Sequence, residues 1–299
     1  MYTRPVNDLG YLLNRMKWHL IIYTVYVVVV YMAYAYLGIK ELDIKMSIAT
    51  VLGFSVALLL GFRTASAYER WWEARKIWGA IVNDSRTLIR QAIGFTSIDP
   101  VLSEVKQLAK YQIVWCITLS NILRKLNPFI GIGDYLTPQE KKMLNTKNNV
   151  PNEILKLMEM LLAQLKKDGK LGAYEMVSMD QTIKNLCDAM GKCERIKNTV
   201  FPVHYRTFTH TGIMIFAGML PYGMLFSTGP FVVVICLIVM FFFLMIETIA
   251  FYLQDPFQNR ASDIPMSALS RTIEINLLEL INEENIPQGL KPDDAGVLM

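Results

Sequence analysis

Apolar residues in this chain gather into blocks instead of spreading evenly. They crowd into Leu20–Ile39, into Met46–Phe62, and again between Gly212 and Tyr252, with a long stretch of mixed composition between the second and third blocks. A helix needs about 20 mostly apolar residues to cross the hydrocarbon of a bilayer. The pattern therefore predicts four transmembrane helices, at about 20–39, 46–62, 212–228 and 231–253. Pro221 lies inside the third, and the fourth is the most apolar. Four spans place both termini on one side. The first run is too long for a cleaved leader, and no small-residue cleavage site follows it.

The second block does not stop where its apolar run ends. Phe62 is followed by Arg63-Thr64-Ala65-Ser66-Ala67-Tyr68-Glu69-Arg70, with no proline, Asn-Gly or serine cluster to turn the chain. One helix leaving the membrane and continuing into water is the simplest reading, and the abrupt charge marks a cytoplasmic boundary. In its apolar half Phe54, Leu58 and Phe62 recur every four residues, a drift of only ~40° per step. The resulting narrow stripe fits ordinary helix packing, and it also fits a hydrophobic pore constriction that gates by dewetting. Thr50 and Ser55 soften this surface, their hydroxyls able to bond back to the backbone.

Beyond Arg63 the periodicity stays helical. Thr64 to Thr96 continues the second helix; Asp99-Pro100 starts another, over Val101 to Leu126. Gly131 to Tyr135 reads as a loop. Thr137 followed by Pro138 caps a short helix, and Pro151 opens one that ends at the glycines Gly169 and Gly172. Tyr174 to Lys192 and Met266 to about Asn282 complete the set, with Asp263 placed to cap the last. No alternating run bounded by turn residues suggests a strand. The fold class is all-α membrane protein, a single unit over 1–299 with helical cytoplasmic parts at 63–205 and 254–299.

Composition agrees. A mean hydropathy of +0.30 with 19% charged residues in 299 describes a membrane protein with a large water-exposed part. Lysines and arginines cluster before the first span, after the second and around the last two, whereas the opposite loops, Gly38–Lys45 and Ser227–Pro230, carry balanced charge or none. That asymmetry puts both termini and the middle of the chain in the cytoplasm, in a multi-pass inner (plasma) membrane protein. A net charge of +4 suits contact with anionic membrane lipid and not nucleic acid.

Candidate chemistry is thin. No H-E-x-x-H, G-x-S-x-G or P-loop lysine is present, and His19, His204 and His210 are scattered. No enzyme activity, cofactor or metal site is expected. Cys116, Cys187, Cys193 and Cys236 lack framework spacing and read as reduced thiols. Trp71, Trp72 and Trp78 beside Arg70 and Arg75 suit interfacial anchoring or packing better than a nucleic-acid face. Glu247 stands out as a carboxylate deep in an apolar run. Such a group marks a function or a buried partner, and a structural ion pair with Arg63 or Arg206 is the favoured reading.

Three blocks, in order, resemble the prokaryotic bestrophins. The first runs from Gly61-Phe62-Arg63 through Ala67-Tyr68-Glu69-Arg70 and Trp72-Glu73-Ala74-Arg75 to Trp78-Gly79. The second is Cys193-Glu194-Arg195-Ile196 with Thr199 and Pro202. The third joins Asp255-Pro256-Phe257, Asp263-Ile264-Pro265 and Thr272-Ile273-Glu274-Ile275-Asn276-Leu277. The resemblance covers nearly the whole chain. It implies a homopentameric ion channel with a central pore, passing monovalent ions. It places a hydrophobic neck on Phe54, Leu58 and Phe62, flanked by Thr50. It places a second, cytoplasmic aperture on Tyr174, with Glu175 and Met179 close by, although Tyr174 departs from the branched aliphatic residue common there. Arg260 stands where animal relatives need carboxylates for calcium, which implies that this site is absent. Acidic rings of Glu175 and Asp180 favour cations such as sodium; a chloride-type anion channel is the alternative.

Overall fold

The computed structural model describes residues 8–38, 45–96, 103–199 and 203–292, together with 296 and 298. The start signal at Asp99-Pro100, Pro202 and most of the loop between the first two spans lie outside the described residues. The helices are α1 (Asp8–Leu37), α2 (Met46–Phe95), α3 (Ser103–Leu123), α4 (Pro138–Leu144), α5 (Val150–Lys167), α6 (Ala173–Asn198), α7 (Val203–Thr228), α8 (Val232–Leu253) and α9 (Met266–Leu280). A short 3₁₀ turn, Gly229–Phe231, joins α7 to α8. Among the described residues there is no strand. The absence of breakers after Phe62 has the predicted consequence: α2 runs unbroken for 50 residues.

By packing, the chain forms two compact bodies. One comprises Pro5–Arg70 and Val200–Asp255, the other Trp71–Thr199 and Pro256–Met299.

The first body holds the apolar helices. Among the described residues three helices are long and apolar enough to cross a membrane: Leu13–Leu37, the Met46–Phe95 helix, and Gly229–Leu253. Only 17% to 22% of the most apolar window of each is buried. Side chains such as Ile22, Val25, Val234 and Ile238 stand more than half exposed. A surface of that kind is stable only in lipid or against other copies. The expected third span falls on α7, which packs against α1 and α8. Pro221 has no N–H to donate, so the carbonyl of Ala217 loses its helical partner. Tyr23 of α1 donates its hydroxyl to that oxygen at 3.0 Å, and Tyr26 donates to the neighbouring Gly218 carbonyl at 2.6 Å. Two α1 tyrosines thus satisfy the backbone around the proline. Close approach of α2 and α7 is set by Gly53, where any Cβ would strike the Phe216 ring at 2.6 Å.

The second body has an ordinary water-soluble interior. α3 lies at its centre, with Trp115, Ile113 and Leu108 fully buried, and packs on α5, α6 and α9. Trp78 is also fully buried, while Trp71 donates its indole N–H to the Ser262 carbonyl at 3.0 Å. These tryptophans pack the fold. α4 begins with the predicted Thr137 cap, elaborated into a reciprocal pair: Thr137 accepts from the Glu140 N–H and Glu140 accepts from the Thr137 N–H. Asp263 does not cap α9, whose first turn has no side-chain cap. Its carboxylate instead accepts the backbone N–H of Gln258 at 2.7 Å and of Arg260 at 3.0 Å, closing the loop that precedes the helix. The four cysteines are free thiols, and burial pushes Cys116 and Cys193 up to about 12.

Candidate functional site

The apolar half of α2 has two faces. Ala49, Gly53, Val56, Leu60, Arg63 and Ala67 recur at steps of three and four and are buried. That is the stripe a helix presents to its own bundle. Phe54, Leu58 and Phe62 lie on another side and are 71%, 51% and 61% exposed. Thr50 shares that exposure, its hydroxyl bonded to the Met46 carbonyl four residues back. Phenylalanine at this spacing makes the same pattern on a core face, so only the fold separates the two readings: this stripe is not what holds the bundle together.

The second candidate region sits at the turn into α6. α5 ends at Lys167 with Asp168 as its C-cap, and Gly169 follows at φ +70°. The Gly169 N–H bonds back to Lys166 and the Lys170 N–H to Leu165. This paired reversal needs a left-handed residue, which glycine supplies without strain. Leu171 is buried and pins the turn; Gly172 then precedes the first turn of α6. Tyr174 emerges there 90% exposed.

Its two expected companions behave differently. Met179 is fully buried, in a stripe with Ile183, Leu186 and Met190. Five residues of helix turn it ~140° away from Tyr174, so it belongs to the core and lines no opening. Val177, 67% exposed, shares the Tyr174 side instead; no motif singled it out, since an apolar residue in a helix reads as core. Glu175 is only partly exposed, and its carboxylate folds back over Gly172, where a Cβ would collide with it. An acid in the first turn of a helix is held by the unpaired N–H groups and dipole.

Lys170, beside this turn, does not pair with Glu175. It reaches Glu104 of α3 at 2.6 Å. Hydrogen bonds from Lys170 and Ser103 lower the Glu104 carboxyl to about 2. A depressed carboxyl stabilises the fold above its ordinary range, and that contribution is lost as pH falls toward about 2. Lys170→Met is therefore expected to lower the thermal midpoint at neutral pH and to leave it unchanged in acid. A midpoint difference that stays constant on acidification contradicts this tie.

Glu247 has the expected arginine partner. Its Oε1 lies 3.3 Å from an Arg63 terminal nitrogen, with the arginine side chain only 1% exposed. His210 adds a second contact, its Nδ1 3.1 Å from Oε2. Arg206, the alternative partner, instead places its guanidinium over the Phe251 ring, 5.2 Å from the centroid. Sequence reasoning missed His210, because it lies 37 residues from Glu247 on another helix.

Comparison with known proteins agrees on one family. Residues 9–279 match the profile described as Bacterial/Fungal Bestrophin protein. The chain is 30% identical over 260 residues to a voltage-dependent anion channel-forming protein of Escherichia coli, covering 87% of this chain and 84% of that one. It is 27% identical over 237 residues to a voltage-dependent anion channel-forming protein of Ralstonia nicotianae, covering 79% and 78%. The fold superposes on the crystal structure of a bacterial bestrophin homologue from Klebsiella pneumoniae with a TM-score of 0.84 at 26% identity, covering 90% of this chain and all of that one.

Proposed function

The chain belongs to the bacterial and fungal bestrophin family, and from that membership we propose that it forms a homopentameric channel for small anions such as chloride. Five α2 helices surround the axis and present Phe54, Leu58 and Phe62 inward, with Thr50 at one edge. The observation that carries this reading is the exposure of that stripe on a helix whose other side already serves the bundle. A helix that has satisfied its own packing and still displays an apolar stripe is suited to a second use, and rotational symmetry brings identical stripes together. Tyr174 and Val177 form the second constriction. Both termini and the body containing α3–α6 and α9 face the cytoplasm.

For ion sign we take the alternative of the sequence reading, an anion channel. Acidic residues near Tyr174 suggest sodium, yet the relatives are named as anion channel-forming proteins. Of the two acids behind that suggestion, Glu175 lies back over Gly172, while Asp180 stands exposed. A dry ring also penalises small ions most, since the cost of removing water falls as ionic radius grows. Phenylalanine edges carry the positive part of the ring quadrupole, which suits an anion. We therefore assign chloride-type conduction and not a sodium pathway.

The deciding measurement is the reversal potential of the purified protein in a planar bilayer under a potassium chloride gradient. The expected value lies on the chloride side of zero. A value on the potassium side overturns the assignment of ion sign, and an absence of current in reconstituted, folded oligomer overturns the channel itself.

A further inference from the structure

Arg63, Glu247 and His210 form one wall of a cavity of about 340 Å³ in the body built from α1, α7, α8 and the apolar half of α2. The remaining polar lining carries two further arginines, Arg15 from α1 and Arg206 from α7, beside His19, Thr207 and Thr248. The single acid in the lining, Glu247, is already engaged by Arg63 and His210. Arg15 and Arg206 have no such partner among the described residues. Both place their guanidinium carbon over the Phe251 ring, 4.6 Å and 5.2 Å from its centroid. The ring face attracts the guanidinium charge without using its N–H donors. Arg63 adds a further positive charge to the lining, already shared with Glu247. The His19 and His210 rings meet edge to face at 6.3 Å.

Three guanidiniums around one occupied carboxylate leave a deficit of negative charge. Guanidinium forks match the oxygens of a phosphate in spacing and plane. The position of the cavity narrows the source of that phosphate. Arg15 stands where the apolar run of α1 begins and Phe251 where that of α8 ends, which is the depth of lipid headgroups. The floor supplies Met16 and Leu244, apolar groups suited to a glycerol backbone or the start of an acyl chain. A zwitterionic lipid would bring its own cation against these arginines.

We propose that this cavity binds the phosphate of an anionic phospholipid of the cytoplasmic leaflet, held by Arg15 and Arg206 and supported by Arg63. The site rests on the membrane reading of α1 and α8 and does not depend on conduction or on ion sign. It gives the channel a lipid-recognition site outside the pore.

The test is binding of soluble short-chain lipids to the purified full-length protein, followed by native mass spectrometry and thermal shift. Dioctanoyl phosphatidylglycerol is expected to bind at least about tenfold more tightly than dioctanoyl phosphatidylcholine. The double variant Arg15→Gln/Arg206→Gln should lose that preference, while Lys17→Gln, a nearby cation outside the cavity, should keep it. Equal binding of the two lipids by the unmodified protein overturns the proposal, whatever the variants do. So does a folded double variant with undiminished preference. Glycerol 3-phosphate serves as the free-phosphate arm; if it binds as tightly as the lipid, the site takes a soluble phosphate and the membrane source is wrong.

Discussion

Glu247→Leu is expected to destabilise the body formed by Pro5–Arg70 and Val200–Asp255 by about 3–5 kcal/mol, the range found when one partner of a buried ion pair is removed. The reason is the guanidinium left behind. Arg63 is 1% exposed and makes its ion pair with Glu247. Its Nε already lacks an acceptor, so the surroundings hold no spare oxygen to replace the carboxylate. His210 would lose its partner as well. The thermal midpoint of the detergent-solubilised protein should fall by on the order of 10 °C. Removing both charges distinguishes a pair needed for stability from one that is only tolerated. Arg63→Met/Glu247→Leu should recover most of the loss, because two apolar groups of similar volume avoid the desolvation that the lone charge suffers. A single variant as stable as the parent would show that water in the neighbouring cavity shields Arg63 well enough to make the pair dispensable.

The second large effect is on conduction. Leu58→Ala removes an exposed isobutyl group from the middle of the Phe54–Leu58–Phe62 stripe. In a five-fold assembly it does so five times at one level. Widening a dry constriction lowers the barrier to wetting steeply, so single-channel conductance is expected to rise severalfold. Stability should hardly change, because the side chain belongs to no core of its own subunit. Val56→Ala is the matched control. Val56 is 3% exposed and touches the Gly212 position of α7, so its shortening should lower the melting temperature and leave conductance near the parent value. The opposite pattern, with conductance responding to Val56 and not to Leu58, would put the pore on the other face of α2.

These two substitutions show how differently the regions were legible. The uninterrupted α2 and the Thr137 cap were readable because they depend on neighbours within one or two turns. That Glu247 needs a cation is readable because a carboxylate inside an apolar run must be paired; only the fold chooses Arg63 over Arg206. Met179 was misplaced because nearness in sequence to Tyr174 says nothing of side once a helix has turned ~140°. The lie of the Glu175 carboxylate over Gly172 has no sequence signal, because it depends on the backbone of the turn. Asp263 was assigned to a cap, whereas the loop it closes offered two N–H groups nearer at hand.

The sequence by itself determined that this is an all-helical membrane protein, where its apolar helices lie, and which family it belongs to. Each follows from the period and length of the apolar runs or from blocks of contiguous residues, and bilayer thickness and backbone hydrogen bonding leave little other choice. Only the tertiary structure decided which side of α2 is spare, that Tyr23 and Tyr26 satisfy the carbonyls around Pro221, and that Arg15, Arg206 and His19 converge beside Glu247. Those outcomes depend on how α1, α2, α7 and α8 are rotated against one another. Rotation about a helix axis is set by the summed packing of side chains far apart in sequence, which no local pattern records.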